Sequence, residues 1–436
     1  MKDSDAGGDV LEQLLGNRWI DPDDGGAVGF PDLAVVMAPT LAGCEADGVA
    51  ALALGKRYAV VCDRNTHAVL GERVHKALSK LGAAEAIVLD DPHADAATAA
   101  MLRRACAAAD ALVAVGSGTL NDLCKFAAAA DSKPYVVFAT APSMNGYTSA
   151  NAAITVDGHK QSLPAALPRG VFIDLEVFAR APARLIRAGV GDSICRPTAQ
   201  ADWLLSSHVL GTPYRRAPFV LLAPDEAGWL AAPEALLRGD RVAMKALART
   251  LLLSGLGMTL CGGSHPASQG EHLVSHFVDM FSPPGRAACL HGEQVAVATL
   301  TMARIQEALL DGPPPRVAPS SMTLATLQER FGFSVGASCW EAFATKRLDD
   351  LQAEAQNARL AAHWEAIRDA IRPILIPAAR LRETLRRIGA PASPVDIGLS
   401  DDFHANAVRN ARFIRDRYTF LDLADDAGRL AALARA

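Results

Sequence analysis

Over the first 180 residues the apolar positions fall in short runs. Val- and Ile-rich stretches at 58–62, 86–89, 111–115, 135–139 and 171–173 read as buried strands, and segments of helical character at 67–80 and 96–108 separate several of them. This alternation predicts a parallel sheet built from βαβ units, in a nucleotide-binding type of α/β domain at 1–180. From about residue 182 the strand-like runs thin out. Segments at 241–253, 293–310 and 348–371 instead carry apolar residues three and four apart, which predicts an all-α second domain at 181–436. The prolines of DGPPPRVAPS at 311–320 make that stretch a loop, because adjacent prolines cannot continue a helix. The charged pattern at 380–387 reads as a solvated helix face.

Composition bounds the ligand. The chain has 436 residues, 50% of them hydrophobic, and a formal charge of -5; it is long enough for more than one domain and for a substantial core. With no long basic run, neither nucleic acid nor an anionic membrane surface is the expected partner, which leaves a small molecule. Eight cysteines without a CxxC pair exclude a zinc ribbon or a thioredoxin-type motif and fit reduced thiols in a cytoplasmic protein. MKDSDAGGDV lacks the basic and then apolar layout of a secretory signal. The longest uncharged stretch, 250–270, is broken by Gly, Ser, His, Gln and Pro, so no membrane span is expected.

Three segments carry chemistry. In ALVAVGSGTLNDLCKFAAAA a buried strand runs into Gly116, Ser117, Gly118 and Thr119 and then into a helix. Glycines let a backbone approach a phosphate, and the N–H groups of a helix start favour negative charge. Asn121 stands at the third glycine position of GxGxxG, so an ordinary tight βα turn fits as well as a dinucleotide turn. Asp63, at the end of an earlier strand, suits either a ribose acceptor or the cap of the following turn.

In SHPASQGEHLVSHF, Ser268 and Glu271 have capping-box spacing, which starts a helix just after Ser268. His272 and His276 then share a helix face and His291 follows at another helix start; such imidazoles suit a divalent metal or proton transfer, or are incidental. In AGVGDSICRPTAQADWLL, Asp192 is either an N-cap or the carboxylate that, with two imidazoles, leaves a metal with open positions. His265 reads as a loop histidine.

Together these segments resemble the sn-glycerol-1-phosphate dehydrogenase family, within the group that also holds glycerol dehydrogenase, iron-type alcohol dehydrogenases and dehydroquinate synthase. The matching stretches are CDRNTHAVLG, VGSGTLNDLCK, TAPSMNGYTSANAAI, GVGDSICRPTAQADW, SGLGMTLCGGSHPASQGEHLVSHF, LHGEQVAVATL, GAPASPVDIGLS and ARFIRDRYTFLDLA, in the family's order over residues 62–424. The resemblance implies a Rossmann-like N-terminal domain and a helical C-terminal domain of the dehydroquinate synthase-like fold, with a catalytic cleft between them.

It implies that Gly116, Ser117, Gly118, Thr119 and Leu120, with Thr140, Ala141, Pro142 and Ser143, contact NAD(H) or NADP(H). Ser149 lies on the nicotinamide side and Asp63 near the adenosine ribose. Asp192, His272 and His291 take the metal positions, zinc first with nickel or iron(II) also suited. His276 and Asp192 take the catalytic positions. The implied activity is reversible reduction of dihydroxyacetone phosphate to sn-glycerol 1-phosphate, in phospholipid metabolism, by a cytoplasmic homo-oligomer.

Two departures bear on the substrate. Asn145 stands where TAPSMDGY has aspartate, and Arg196 where lysine usually ends the pattern after Asp192. An amide donates where a carboxylate only accepts, and arginine offers a planar fork in place of a point charge. Asn145, Asp192, Arg196 and His276 are the substrate-side candidates. The rival readings are another polyol, hydroxy-ketone or aldehyde, a dehydroquinate-synthase-like lyase, or a nucleotide-binding sensor without catalysis.

Overall fold

The computed structural model describes residues 8–283 and 289–435; the first seven residues, read above for a leader, lie outside them. The chain divides into two compact units, one made of Met1–Ser193 and Arg215–Ser264, the other of Ile194–Tyr214 and His265–Ala436. The first thus takes in chain beyond the boundary read at residue 180.

The first unit is built on β1 (Ala34–Ala38), β2 (Arg57–Asp63), β3 (Ala83–Leu89), β4 (Ala111–Gly116) and β5 (Tyr135–Ala139), then a separate antiparallel hairpin of β6 (Asn151–Val156) and β7 (His159–Pro164), and last β8 (Gly170–Asp174). The main sheet has the order β1-β8-β5-β4-β2-β3 with every pairing parallel. All five expected runs are strands. β4, β5 and β8 are buried at every residue, which is why they read as unbroken apolar runs.

Two features escaped the pattern reading. β1 is half-exposed along most of its length, and the β6–β7 hairpin turns at Asp157-Gly158, where both φ angles are positive. Asp-Gly is a hairpin signal that the sequence did display. The helix expected at 67–80 is a helical path from Arg64 to Leu78 with one wide turn at His67–Gly71. The unit also carries helices α1 (Gly118–Ala130) and α2 (Ala183–Ser193) and the long helix Arg241–Leu260.

Among its described residues the second unit holds no strand. Its main helices are α3 (Arg196–Leu210), α4 (Gly270–Phe281), α5 (His291–Leu310), α6 (Asp350–Ile371), α7 (Ala378–Arg387) and the short α8 (Phe420–Asp426). Residues 311–323 form a connection without helix, as the prolines predict.

Asp202, wholly buried on α3, accepts N–H bonds from Gly270 at 2.9 Å and Phe420 at 2.9 Å and from the Gln306 amide at 3.2 Å, tying the starts of α4 and α8 to α3 and α5. The ARFIRDRYTFLDLA segment is mostly architecture: buried Arg412 bonds Asp422 at 3.1 Å and Asp426 at 2.8 Å, and buried Lys346 lies 3.0 Å from Asp422. Buried charges persist only when paired in this way.

Candidate functional site

In the main sheet, β2 passes to β3 on one side while β4 lies on its other side, so the strand order reverses between β2 and β4. In open α/β sheets ligands bind outside the carboxyl ends of the strands at such a switch. A cavity of about 320 Å3 sits there, lined by Asp63 at the end of β2, Asp90 and Asp91 after β3, and Ser117, Thr119 and Leu120 after β4. The structure therefore groups four of the expected nucleotide residues around one hollow.

A Cβ on Gly116 would lie 2.3 Å from the Leu120 side chain, so the turn needs glycine there. Asp63 also performs the capping role: its Oδ1 accepts the Thr66 N–H at 2.7 Å, and Thr66 Oγ1 accepts the Asp63 N–H at 3.0 Å. Asp90 and Asp91 went unnoticed in the sequence. The signal was available, since they follow a predicted strand end.

The TAPSMNGYTS segment lies beside this turn because Thr140 N–H donates to Gly116 O at 3.2 Å. It is held by polar side chains of an otherwise apolar helix. Lys125 on α1, fully buried, donates to Gly146 O at 2.6 Å and Asn151 O at 3.0 Å, while the Asn121 amide reaches Gly146 O at 3.3 Å. Burial lowers the Lys125 pKa. Tyr147 O–H closes the segment onto Ala141 O at 2.7 Å, and Ser149 Oγ accepts the Asn151 N–H at 3.1 Å.

From α2, Gly189 touches the same segment: a Cβ there would lie 1.7 Å from Pro142 O, so only glycine permits the contact. Asp192, one turn on, is buried inside α2 near its end and does not cap it; its Oδ2 accepts the Asn145 backbone N–H at 2.8 Å. The bond leaves the Asn145 side chain uncommitted to holding Asp192, so aspartate at that position would keep it.

In the second unit, α4 starts one residue later than expected. Gln269 is its cap and Glu271 accepts the Gln269 N–H at 2.8 Å, while the Ser268 carbonyl accepts from Arg417. His272, His276 and His291 come together there, with ring centres 6.2 Å apart for His272–His276, 5.1 Å for His272–His291 and 5.9 Å for His276–His291.

Their partners fix the proton positions. His272 Nδ1 lies 2.9 Å from the Glu271 carboxylate, an acceptor, so Nδ1 carries the hydrogen and the lone pair is on Nε2. Ser275 Oγ gives its one proton to Gln294 Oε1 at 2.8 Å, so it accepts from His291 Nδ1 at 3.2 Å, and the His291 lone pair is on Nε2 as well. Both rings are thus oriented as metal-ligating imidazoles are, each held through its other nitrogen.

His276 is set the other way. Arg415 donates from Nη2 to its Nδ1 at 3.2 Å, which in the neutral ring puts the hydrogen on Nε2. Sequence reading missed Arg415, since nothing in the spacing links it to a residue 139 positions earlier.

A second donor group, Cys195, Glu271 and His272, has ligand atoms within 4.8 Å of one another. Arg196 opens α3 and donates from Nη1 to Gln200 Oε1 at 3.0 Å. His265 lies in the loop before α4, where burial lowers its pKa to about 4.

Residues 37–182 match the family model described as iron-containing alcohol dehydrogenase. The chain is 29% identical over 376 residues to the glycerol-1-phosphate dehydrogenase, NAD(P)+, of Bacillus subtilis (strain 168), covering 84% of each protein. To the glycerol-1-phosphate dehydrogenase of Pyrococcus furiosus it is 36% identical over 191 residues, 44% of this chain and 54% of the relative. Among solved structures, glycerol dehydrogenase from Schizosaccharomyces pombe matches with a TM-score of 0.60 at 16% identity, over 92% of this chain and 89% of that one.

Proposed function

We propose that the chain, similar to glycerol-1-phosphate dehydrogenases over most of its length and to the iron-containing alcohol dehydrogenase model over residues 37–182, is a member of that family and reversibly reduces dihydroxyacetone phosphate to sn-glycerol 1-phosphate. It is an NAD(P)-dependent oxidoreductase. The observation that carries the finer reading is the division of labour among three neighbouring imidazoles: two carry their lone pair on Nε2, one a hydrogen there.

In this reading the Gly116–Leu120 turn and Thr140, Ala141, Pro142 and Ser143 hold the dinucleotide, with Ser149 toward the nicotinamide. Asp63, Asp90 and Asp91 around one cavity favour ribose hydroxyls over a 2'-phosphate, hence NAD(H) over NADP(H). Asp192, His272 and His291 hold one divalent metal, with zinc favoured over nickel or iron(II). When bound, the dinucleotide supplies the hydride and the metal a Lewis acid.

His276 delivers a proton to the oxygen of the reduced carbonyl from Nε2 and recovers it in the reverse direction. Arg196 holds the phosphate through its fork. The chain acts as a homo-oligomer on a small phosphorylated ketone or polyol.

Nucleotide oxidation with dihydroxyacetone phosphate, with and without zinc, nickel or iron(II), tests substrate, cofactor and metal at once. Metal-dependent turnover is expected, with His272→Ala losing both metal retention and at least 100-fold in kcat. Full turnover by metal-free His272→Ala protein would overturn the metal assignment.

The second reading, an unphosphorylated hydroxy-ketone or polyol, is favoured by Asn145, an amide that donates as well as accepts where TAPSMDGY has a carboxylate. Faster reduction of dihydroxyacetone than of its phosphate would establish it.

A further inference from the structure

About 20 Å along α5 from His291, at 1.5 Å per residue, the second unit carries a cavity of about 380 Å3 lined by Arg304, Ala378, Ala379, Arg382, Glu383 and Arg386. Arg304, Arg382 and Arg386, from two helices, line it beside one carboxylate, Glu383, 3.8 Å from Arg386, and a second carboxylate, Glu307 on α5, accepts the Ala378 N–H at 2.8 Å at the start of α7. The two alanines form an apolar patch at the start of α7. The sequence reading of 380–387 as a solvated helix face accounts for Arg382 and Arg386, both exposed, but not for Arg304.

Arg304 comes from a different helix and is partly buried. Its Nη2 is held by Thr301 Oγ1 at 3.3 Å, and that hydroxyl is itself 3.0 Å from His404 Nε2. Its Nε is buried and has no acceptor among the described residues. Burial and the neighbouring Arg382 both lower the Arg304 pKa, as expected for like charges brought together without an anion between them.

We infer that this pocket binds a phosphate monoester at a site separate from the dehydrogenase chemistry. Three arginines outnumber the two carboxylates, and this positive surplus attracts the roughly -1.5 to -2 of a phosphoryl group at neutral pH. Arginine forks pair with phosphate oxygens in two-pronged fashion. The cavity falls within the range of roughly 300–1,000 Å3 typical of small-molecule sites, leaving room for a small organic body over the alanines.

Equilibrium dialysis of labelled inorganic phosphate tests this on the metal-loaded enzyme with its dinucleotide seat filled by NAD. The comparison is with the double variant Arg382→Ser/Arg386→Ser, whose changes lie on an exposed face. Wild type should bind one more phosphate per chain, with at least tenfold loss of that site in the variant and no change in KM for the carbonyl substrate. Competition by glycerol 2-phosphate should displace the label from the same site. Equal binding by both proteins overturns the site, and displacement by inorganic phosphate alone overturns the monoester assignment. Because the readout is binding, it stands apart from the identity of the carbonyl substrate.

Discussion

Gly189 shows how much of the segment at 140–151 depends on a missing atom. Its contact with Pro142 O leaves no room for a methyl group, and Pro142 belongs to the segment that the Gly116 carbonyl and Lys125 hold in place. Gly189→Ala is therefore expected to push the 140–143 backbone away from α2. A fall in nucleotide affinity of at least tenfold by fluorescence titration, with the fold intact by circular dichroism, is the expected outcome; unchanged affinity would show that the segment does not hold the nucleotide. The glycine was visible in GVGD, but the need for it was not, because its partner lies 47 residues earlier. Asp63 and His291 were legible because strand ends and helix starts have local signatures. Arg415 was not legible, because its link to His276 exists only after folding.

At the scale of elements, the helices of the second unit are tied at their ends as well as along their faces. Asp202 accepts three N–H bonds in a fully buried position. Burial and nearby Glu271 push its carboxyl up to about 8, against the downward pull of those donors. Asp202→Ala would leave buried N–H groups without an acceptor, at a cost of about 3 kcal/mol or more. Asp202→Asn keeps one acceptor oxygen and should lose less. Urea denaturation of the two variants checks the order; an alanine variant as stable as wild type would remove Asp202 from this role. The periodic patterns at 241–253, 293–310 and 348–371 all proved helical, since amphipathic spacing is written locally. Neither the Asp202 knot nor the half-exposed edge strand β1 has such a pattern, because both depend on pairing distant in sequence.

For the molecule as a whole, His404 ties stability to pH. Burial, reinforced by Arg304, lowers its pKa from 6.5 to about 4. The folded state thus holds it neutral where the unfolded chain takes up a proton. Its contribution is fully present above about 6.5 and is lost as pH falls toward 4. Relative to His404→Gln, wild type should lose stability by roughly 1 kcal/mol per pH unit across that window. Denaturation midpoints at pH 7, 6 and 5 measure it, and parallel curves for the two proteins would contradict it. No helix among the described residues is long and apolar enough to cross a membrane.

The two compact units are interleaved in the chain: residues 194–214 belong to the second, 215–264 return to the first, and the second resumes at 265. During synthesis the first unit stays incomplete until residue 264 has emerged, because Thr148 in the first stretch donates from Oγ1 to Leu252 O at 2.5 Å on the returning helix. Neither unit can be cut out as one continuous fragment. An early stop anywhere before residue 264 leaves both compact units unfinished.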